Sequence, residues 1–389
     1  MPGVFGELCS NTLVLVFEEI NKEEGSSLIQ NEHYAKFDVR YTETVGWDVI
    51  GPLAEHYFRL KAFGLEELPD PNSSNRPIIF LANHAGRCLP WDAILLDYTI
   101  SRYWVDHFGM KLEQKPRSLA AIEISENPLM LPYRLSDWWR KVGGMDATAR
   151  NFQRLLRDGK SVIIFPEGIP GIARDFRERY QLLPFSTSVV RMAARYNAQL
   201  VPISIIGSEY FHPYARQTRL TDALAKWLRL PFLPFSPFSC LLPFGPWIFY
   251  MALPAKVTIS IGKPYELDPQ IVAEANWEEA TEKLRQECQG QLNVARTAYE
   301  KGWQWFGLIR SLLSAPEPWW QLLPFAWPHR FINHARREAP HLFPKTVSPW
   351  RFLVPILGWF PLPPKLVEKR MEPLPSVPAE LHPVGYAGS

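Results

Sequence analysis

The chain has 389 residues, 47% of them apolar and 21% charged, which excludes wholesale disorder and lets roughly three-quarters of the unfolded surface be buried without disulfides or metal. Four cysteines, Cys9, Cys88, Cys240 and Cys288, stand far apart with no C-x-x-C pair, so a disulfide framework and a structural zinc site are not expected and a reducing compartment is. The net charge of +2 hides an asymmetry: residues 1–70 carry 5 basic against 13 acidic side chains, residues 140–229 carry 15 against 7, and residues 303–370 carry 9 against 3.

In chain order, residues 1–44 read as an acidic, weakly patterned segment, 45–302 as the main domain and 303–389 as an aromatic, proline-rich extension. The apolar run 12–17 has no basic start and is too short for a signal peptide. An amphipathic helix is expected over 47–58 and a strand over 59–65, followed by a Pro/Asn/Ser loop at 69–76. The continuous apolar run 77–82 suits a buried strand, and a helix follows over 91–100. A strand over 118–124 precedes a helix capped by Asp146 and running to 156. A strand at 160–165, a helix at 186–196 ended by Asn197, and a strand at 200–206 complete a βαβ pattern, with further elements at 257–261 and 277–301. The expected fold is therefore α/β, with a central, mostly parallel sheet flanked by helices and a Pro/Trp-rich C-terminal extension.

Residues 230–255 are uncharged but contain six prolines, at 231, 234, 237, 243, 246 and 254. Such a segment cannot cross a bilayer as a helix, so it is expected in a membrane interface or a protein groove. Residues 303–364 hold seven of the fifteen tryptophans. Trp beside Lys and Arg suits interfacial membrane contact, and packing on the sheet is the other reading.

Two loops carry candidate chemistry. Asn83 to Asp92 follows one expected strand and places His84 and Asp92 in a single loop, where a carboxylate could orient an imidazole acting as general base. A histidine that only caps the strand end is the simpler alternative. Glu167 and Gly168 follow another strand in the sequence Phe-Pro-Glu-Gly, and share a rim with His84 if the two strands are neighbours. The basic middle could attract coenzyme A phosphates or an acidic carrier protein, or be a solvated surface balancing the acidic head. The Asn333-His334 dipeptide lacks a preceding strand and is read as chance. The chain has no G-x-S-x-G and no Gly-rich phosphate loop.

The order of these motifs, with Val201 and Pro202 in the next strand and Ile206-Gly207-Ser208-Glu209 after it, resembles the lysophospholipid/glycerolipid acyltransferase superfamily. Within it, the sequence is most similar to the monoacylglycerol/diacylglycerol acyltransferase-like branch, over roughly residues 45–270. The resemblance implies catalytic roles for His84 and Asp92, and substrate contacts at Asn83, Glu167, Gly168, Arg150 (in the blurred motif at 142–151) and Arg174. Two features depart from the family pattern. Seven residues rather than four separate His84 from Asp92, so the loop has to bulge, which Gly86 permits. Ile169-Pro170-Gly171 stands where phosphate-acceptor members carry a Thr-Arg-Ser type sequence, and no basic residue comes before Arg174.

The expected activity is transfer of a fatty acyl group from acyl-CoA or acyl carrier protein to a neutral lipid hydroxyl, such as that of diacylglycerol, monoacylglycerol or an isoprenoid or quinol alcohol. Acylation of a lysophospholipid or lysophosphatidate, non-catalytic lipid binding on the same scaffold, and lipid hydrolysis are the alternatives. The thioester is a co-substrate, and neither a metal nor a further cofactor is expected. The expected partners are the bilayer and the thioester donor, not nucleic acid, with a peripheral or monotopic place on the cytoplasmic face of a membrane.

Overall fold

A computed structural model describes residues 36–73, 76–84, 90–213, a few positions between 218 and 226, and 244–357. The expectations for residues 1–35, for the bulge at Gly86, for 230–243, for 358–389 and for Cys9, Cys88 and Cys240 lie outside the described residues.

The chain enters through helix α1 (Val39–Val45), capped by the Asp38 carboxylate, which accepts from the Tyr41 N–H at 2.7 Å. It continues through two wide, π-type turns, Gly46–Ile50 and Leu53–Tyr57, over the span where the hydrophobic spacing predicts a single helix. Strands β1 (Lys61–Phe63) and β2 (Ile78–Ala82) follow, then helix α2 (Trp91–Phe108), which Gly109 ends in the left-handed region. Next come β3 (Arg117–Ala120), the two-residue β4 (Met145–Asp146), helix α3 (Ala149–Arg157) and β5 (Val162–Ile164). The cap of α3 is Thr148, whose hydroxyl accepts from the Asn151 N–H, not Asp146. Asp146 is instead in the sheet, with its carboxylate on Arg140 at 2.8 Å. A short helix α4 (Gly168–Ile172), then α5 (Ser188–Tyr196) closed by Asn197 at φ 48°, leads into β6 (Gln199–Ile206). Strand β7 (Thr258–Ile261) and the long helix α6 (Trp277–Tyr299) precede two C-terminal helices, α7 (Trp305–Leu313) and α8 (Trp327–Glu338).

The seven strands form one sheet in the order β1-β7-β6-β2-β5-β3-β4. Every pairing is parallel except β6 with β7. The central strands are apolar throughout because both their faces are covered. In β2, Ile78, Phe80 and Ala82 enter one core while Ile79 and Leu81 enter the other. Strands β5 and β6 divide their side chains the same way, the period of two that a pleated strand imposes.

The first core packs α2 and residues 41–58 against the sheet. It also contains the described C-terminal region: Trp327, Phe331, Ile332 and Ala335 are fully or almost fully buried in it. So is the second half of the proline-rich stretch, where Trp247 and Tyr250 join the same cluster and Phe249 joins a smaller one. For residues 244–255 the groove reading holds and the membrane reading does not. Residues from both flanks of the 45–302 span, among them Tyr41, Trp327, Phe331 and Phe352, contribute to this core. The second core packs α3, α5 and α6 on the opposite face.

Candidate active site

Strands β2 and β5 are parallel neighbours, with Leu81 opposite Ile164. Their carboxyl ends therefore deliver His84 and Phe165 to one level of the rim. The two rings stack, with centroids 3.6 Å apart and planes 11° from parallel. The chain re-enters at α2, and Asp92 in its first turn meets the imidazole: Nδ1 of His84 lies 2.8 Å from Oδ2 of Asp92. The seven-residue spacing is thus spanned. Asp92 is 1% exposed, and its other oxygen accepts from the Ala93 N–H at 2.8 Å. A carboxylate can only accept, so Nδ1 carries the hydrogen and Nε2 keeps a free lone pair. The start of α2 is tied down by the neighbouring Trp91, whose indole N–H donates to the Tyr250 carbonyl at 2.7 Å.

His84 lies in the wall of a cavity of about 1280 Å³, larger than most small-molecule sites. The wall is mainly apolar. Helix α2 supplies Ala93, Ile94, Asp97, Tyr98 and Ser101, one face of its first three turns, and the helical segment after α1 adds Trp47 and Ile50. The Phe165-Pro166-Glu167-Gly168 loop and residues 183–188 complete the rim around the histidine.

The remaining sequence-predicted residues divide. Glu167 and Gly168 line the cavity. Gly168 sits at φ 61° and its N–H is used by the Phe165 carbonyl. Glu167 is fully buried, paired with Arg174, and accepts from the Leu183 N–H at 2.7 Å. Arg174 is therefore drawn back onto Glu167 inside the protein, where burial lowers its guanidinium pKa to about 10, and it does not line the cavity. Asn83 is likewise engaged elsewhere. Its carboxamide bridges to β6, accepting from the Ile205 N–H at 2.7 Å and donating to the Ile205 carbonyl at 3.1 Å. It fixes the strand end that carries His84 and is not a cavity residue. Arg150 is not a cavity residue either, whereas Ala149 is; one step along α3 turns a side chain about 100° away. Asn333 and His334 lie on α8, and the buried His334 is 3.4 Å from Asp48.

Two cavity cations were not singled out in the sequence. Lys115 is buried and bound to Asp97 at 2.5 Å, and Arg191 on α5 is exposed at the rim beside Ser186 and Ser188. Arg191 sits at helical spacing among core residues, so the sequence gives it no mark beyond the basic balance of that region. No cluster of three or more His, Cys, Asp or Glu side chains that could hold a metal occurs among the described residues.

The rim of the parallel sheet thus carries an imidazole held by a buried carboxylate, beside a large, mainly apolar cavity. A family model described as Acyltransferase matches residues 59–206, the span from β1 to the end of β6. The matched span is similar to acyltransferases and contains His84, Asp92 and Glu167. Uncharacterized proteins of Mycobacterium tuberculosis and Mycobacterium bovis are 30% identical over 229 residues, 59% of this chain and 58% of theirs. The chain thus spans less than two thirds of the length of these curated relatives. Phytyl ester synthase 1, chloroplastic, of Arabidopsis thaliana is 33% identical over 118 residues, 26% of this chain and 17% of its own. Among solved structures, a 1-acyl-sn-glycerophosphate acyltransferase from Thermotoga maritima overlays 72% of this chain and 96% of its own at 17% identity, with a TM-score of 0.35.

Proposed function

We propose that the protein is an O-acyltransferase that moves a fatty acyl group from a thioester, acyl-CoA or acyl carrier protein, to the hydroxyl of a neutral lipid. The observation that carries the reading is the contact between His84 and Asp92 at the wall of a large apolar cavity. Nε2 of His84 takes the acceptor's hydroxyl proton as its oxygen attacks the thioester carbonyl. Asp92 supports the imidazolium that forms. The C–O bond forms, the C–S bond breaks, and the leaving thiolate recovers the proton from Nε2, so ester and free thiol are the products and the histidine is restored.

A neutral acceptor is favoured because the arginine nearest the Glu-Gly motif, Arg174, is bound to Glu167 and Lys115 is bound to Asp97. An acceptor phosphate wants a guanidinium fork at close range. The relative named for a phytyl ester is consistent with a long-chain alcohol. The second reading, a lysophospholipid or lysophosphatidate acceptor, is favoured by Arg191 at the rim. Peripheral or monotopic attachment at the cytoplasmic face of a membrane belongs to the same proposal, since the acceptor has to be drawn from a bilayer. No helix among the described residues is long and apolar enough to cross one.

The test is a thioester-consumption assay offering diacylglycerol, a long-chain alcohol and lysophosphatidate in parallel. Ester formation on the neutral acceptors is expected, with His84→Ala lowering kcat about 10²- to 10⁴-fold and Asp92→Asn having an effect of similar order. Turnover confined to lysophosphatidate, with its KM raised by Arg191→Ala, selects the second reading. Unchanged turnover in His84→Ala sinks the general-base assignment.

A further inference from the structure

Large apolar side chains on the surface are concentrated in one region. Of the fifteen exposed large hydrophobics among the described residues, twelve lie between 305 and 357. Phe306 is 93% exposed, Leu313 70% and Trp350 67%. Helix α7 shows how this arises. Leu308 and Leu312 are buried against the protein, as in any surface helix, but Trp305, Phe306, Ile309 and Leu313 on the outward side are apolar too. A helix apolar on both faces needs a non-aqueous environment on the outer one. Trp319, Trp320 and Phe325, immediately after α7, add to the same exposed set.

Scattered exposed apolar residues need no explanation, but a concentrated group of this size does. Its composition points to the occupant. Four of the exposed side chains are tryptophans, the residue that prefers the boundary between lipid and water. Residues 303–357 carry six Lys and Arg against two Glu. Arg310, on the exposed end of α7, and Lys345 have no acidic partner among the described residues. Aromatic and aliphatic side chains with uncompensated basic ones match a leaflet bearing anionic lipid. The placement also serves the cavity. Helix α7 packs on the Leu53–Tyr57 turn and α8 on the Gly46–Ile50 turn, and the second of these turns lines the cavity with Gly46, Trp47 and Ile50.

We infer that the face formed by α7 and residues 319–325, which pack on it, is a docking surface for an anionic bilayer, with Phe306, Ile309 and Trp320 entering the lipid and Arg310 meeting its headgroups. The inference gives the proposed membrane attachment its surface and lipid charge, and its test does not use turnover. The full chain is sedimented with phosphatidylcholine vesicles and with vesicles containing phosphatidylglycerol. Binding is expected to be tighter to the second kind and weakened by salt. The double variant Phe306→Ser/Ile309→Ser is expected to lose about tenfold or more in binding to both kinds, and Arg310→Glu about tenfold on the anionic vesicles alone. All three side chains are exposed, so thermal midpoints should not move, and His84→Ala should bind as the parent does. Parent protein that stays in the supernatant, or serine variants that bind undiminished, overturns the proposal. So does a lipid-free dimer that the serine variants abolish, which would show the face covered by a second copy of the chain.

Discussion

Asp92 and Glu209 are both buried carboxyl groups at the carboxyl edge of the sheet, and their surroundings treat them differently. Asp92 lies in the first turn of α2, where the helix dipole favours a negative charge, and faces an imidazole. Glu209 follows β6, accepts from the Gly207 N–H at 2.8 Å and bonds the Tyr180 hydroxyl. Gly207 is at φ 103°, and a Cβ there would collide with the Lys256 carbonyl, so the turn that aims Glu209 inward requires glycine. Burial outweighs these hydrogen bonds and pushes the Glu209 carboxyl up from 4.5 to about 7. The folded protein therefore holds a proton that the unfolded chain releases near pH 4.5. Stability should fall as pH rises between those two values and level off above the higher one, a contribution of at most about 3 kcal/mol. Glu209→Gln, which cannot ionise, should flatten this slope. Urea unfolding of parent and variant across that pH window measures the difference, and parallel curves would show that Glu209 does not titrate there.

At the scale of elements, α2 both holds the site and shapes what enters it. Its cavity-facing residues continue from Ala93 to Ser101, about 13 Å along the axis from Asp92 at 1.5 Å per residue. A substrate chain lying along this face from the histidine reaches Ser101 at the far end. Ser101→Leu should therefore leave turnover of short-chain substrates near the parent value and lower that of long-chain ones several-fold. Turnover against chain length is the measurement, and an equal loss at all lengths would mean that the substituted side chain disturbs α2 itself and not the cavity. Much of this element pattern is legible in the sequence. Residues 78–82 and 162–164 are continuous apolar runs that suit a doubly covered strand, and each is followed at once by a loop bearing His84 or Glu167, which places both at one rim once the strands are parallel neighbours. What escapes depends on tertiary partners. Thr148 takes the cap of α3 because Asp146 is drawn to Arg140. Asn83 and Arg174 have the chemistry of ligand contacts, and only the positions of Ile205 and Glu167 reveal that they are already engaged.

For the whole molecule, the aromatic C-terminal region has two faces, and composition alone does not separate them. Trp327 and Trp350 look alike in the sequence, yet one is completely buried and the other is largely exposed. Trp327 packs edge-on against Tyr57 and Trp91, with ring centroids at 5.2 and 4.8 Å, and its indole N–H donates to the Leu322 carbonyl at 2.8 Å. Trp91 directly precedes Asp92, so α8 buttresses the turn that presents the carboxylate to His84. Trp327→Ala should cost about 3–5 kcal/mol, a large part of the 5–15 kcal/mol that roughly spans domain stabilities. Trp350→Ala, which removes an exposed ring, should cost within about 0.5 kcal/mol. Paired denaturant titrations decide this. Similar midpoints for the two variants would mean that the C-terminal helices are an appendage, whereas a large loss confined to Trp327→Ala shows that residues from 303 onward complete the core beneath the rim that carries His84.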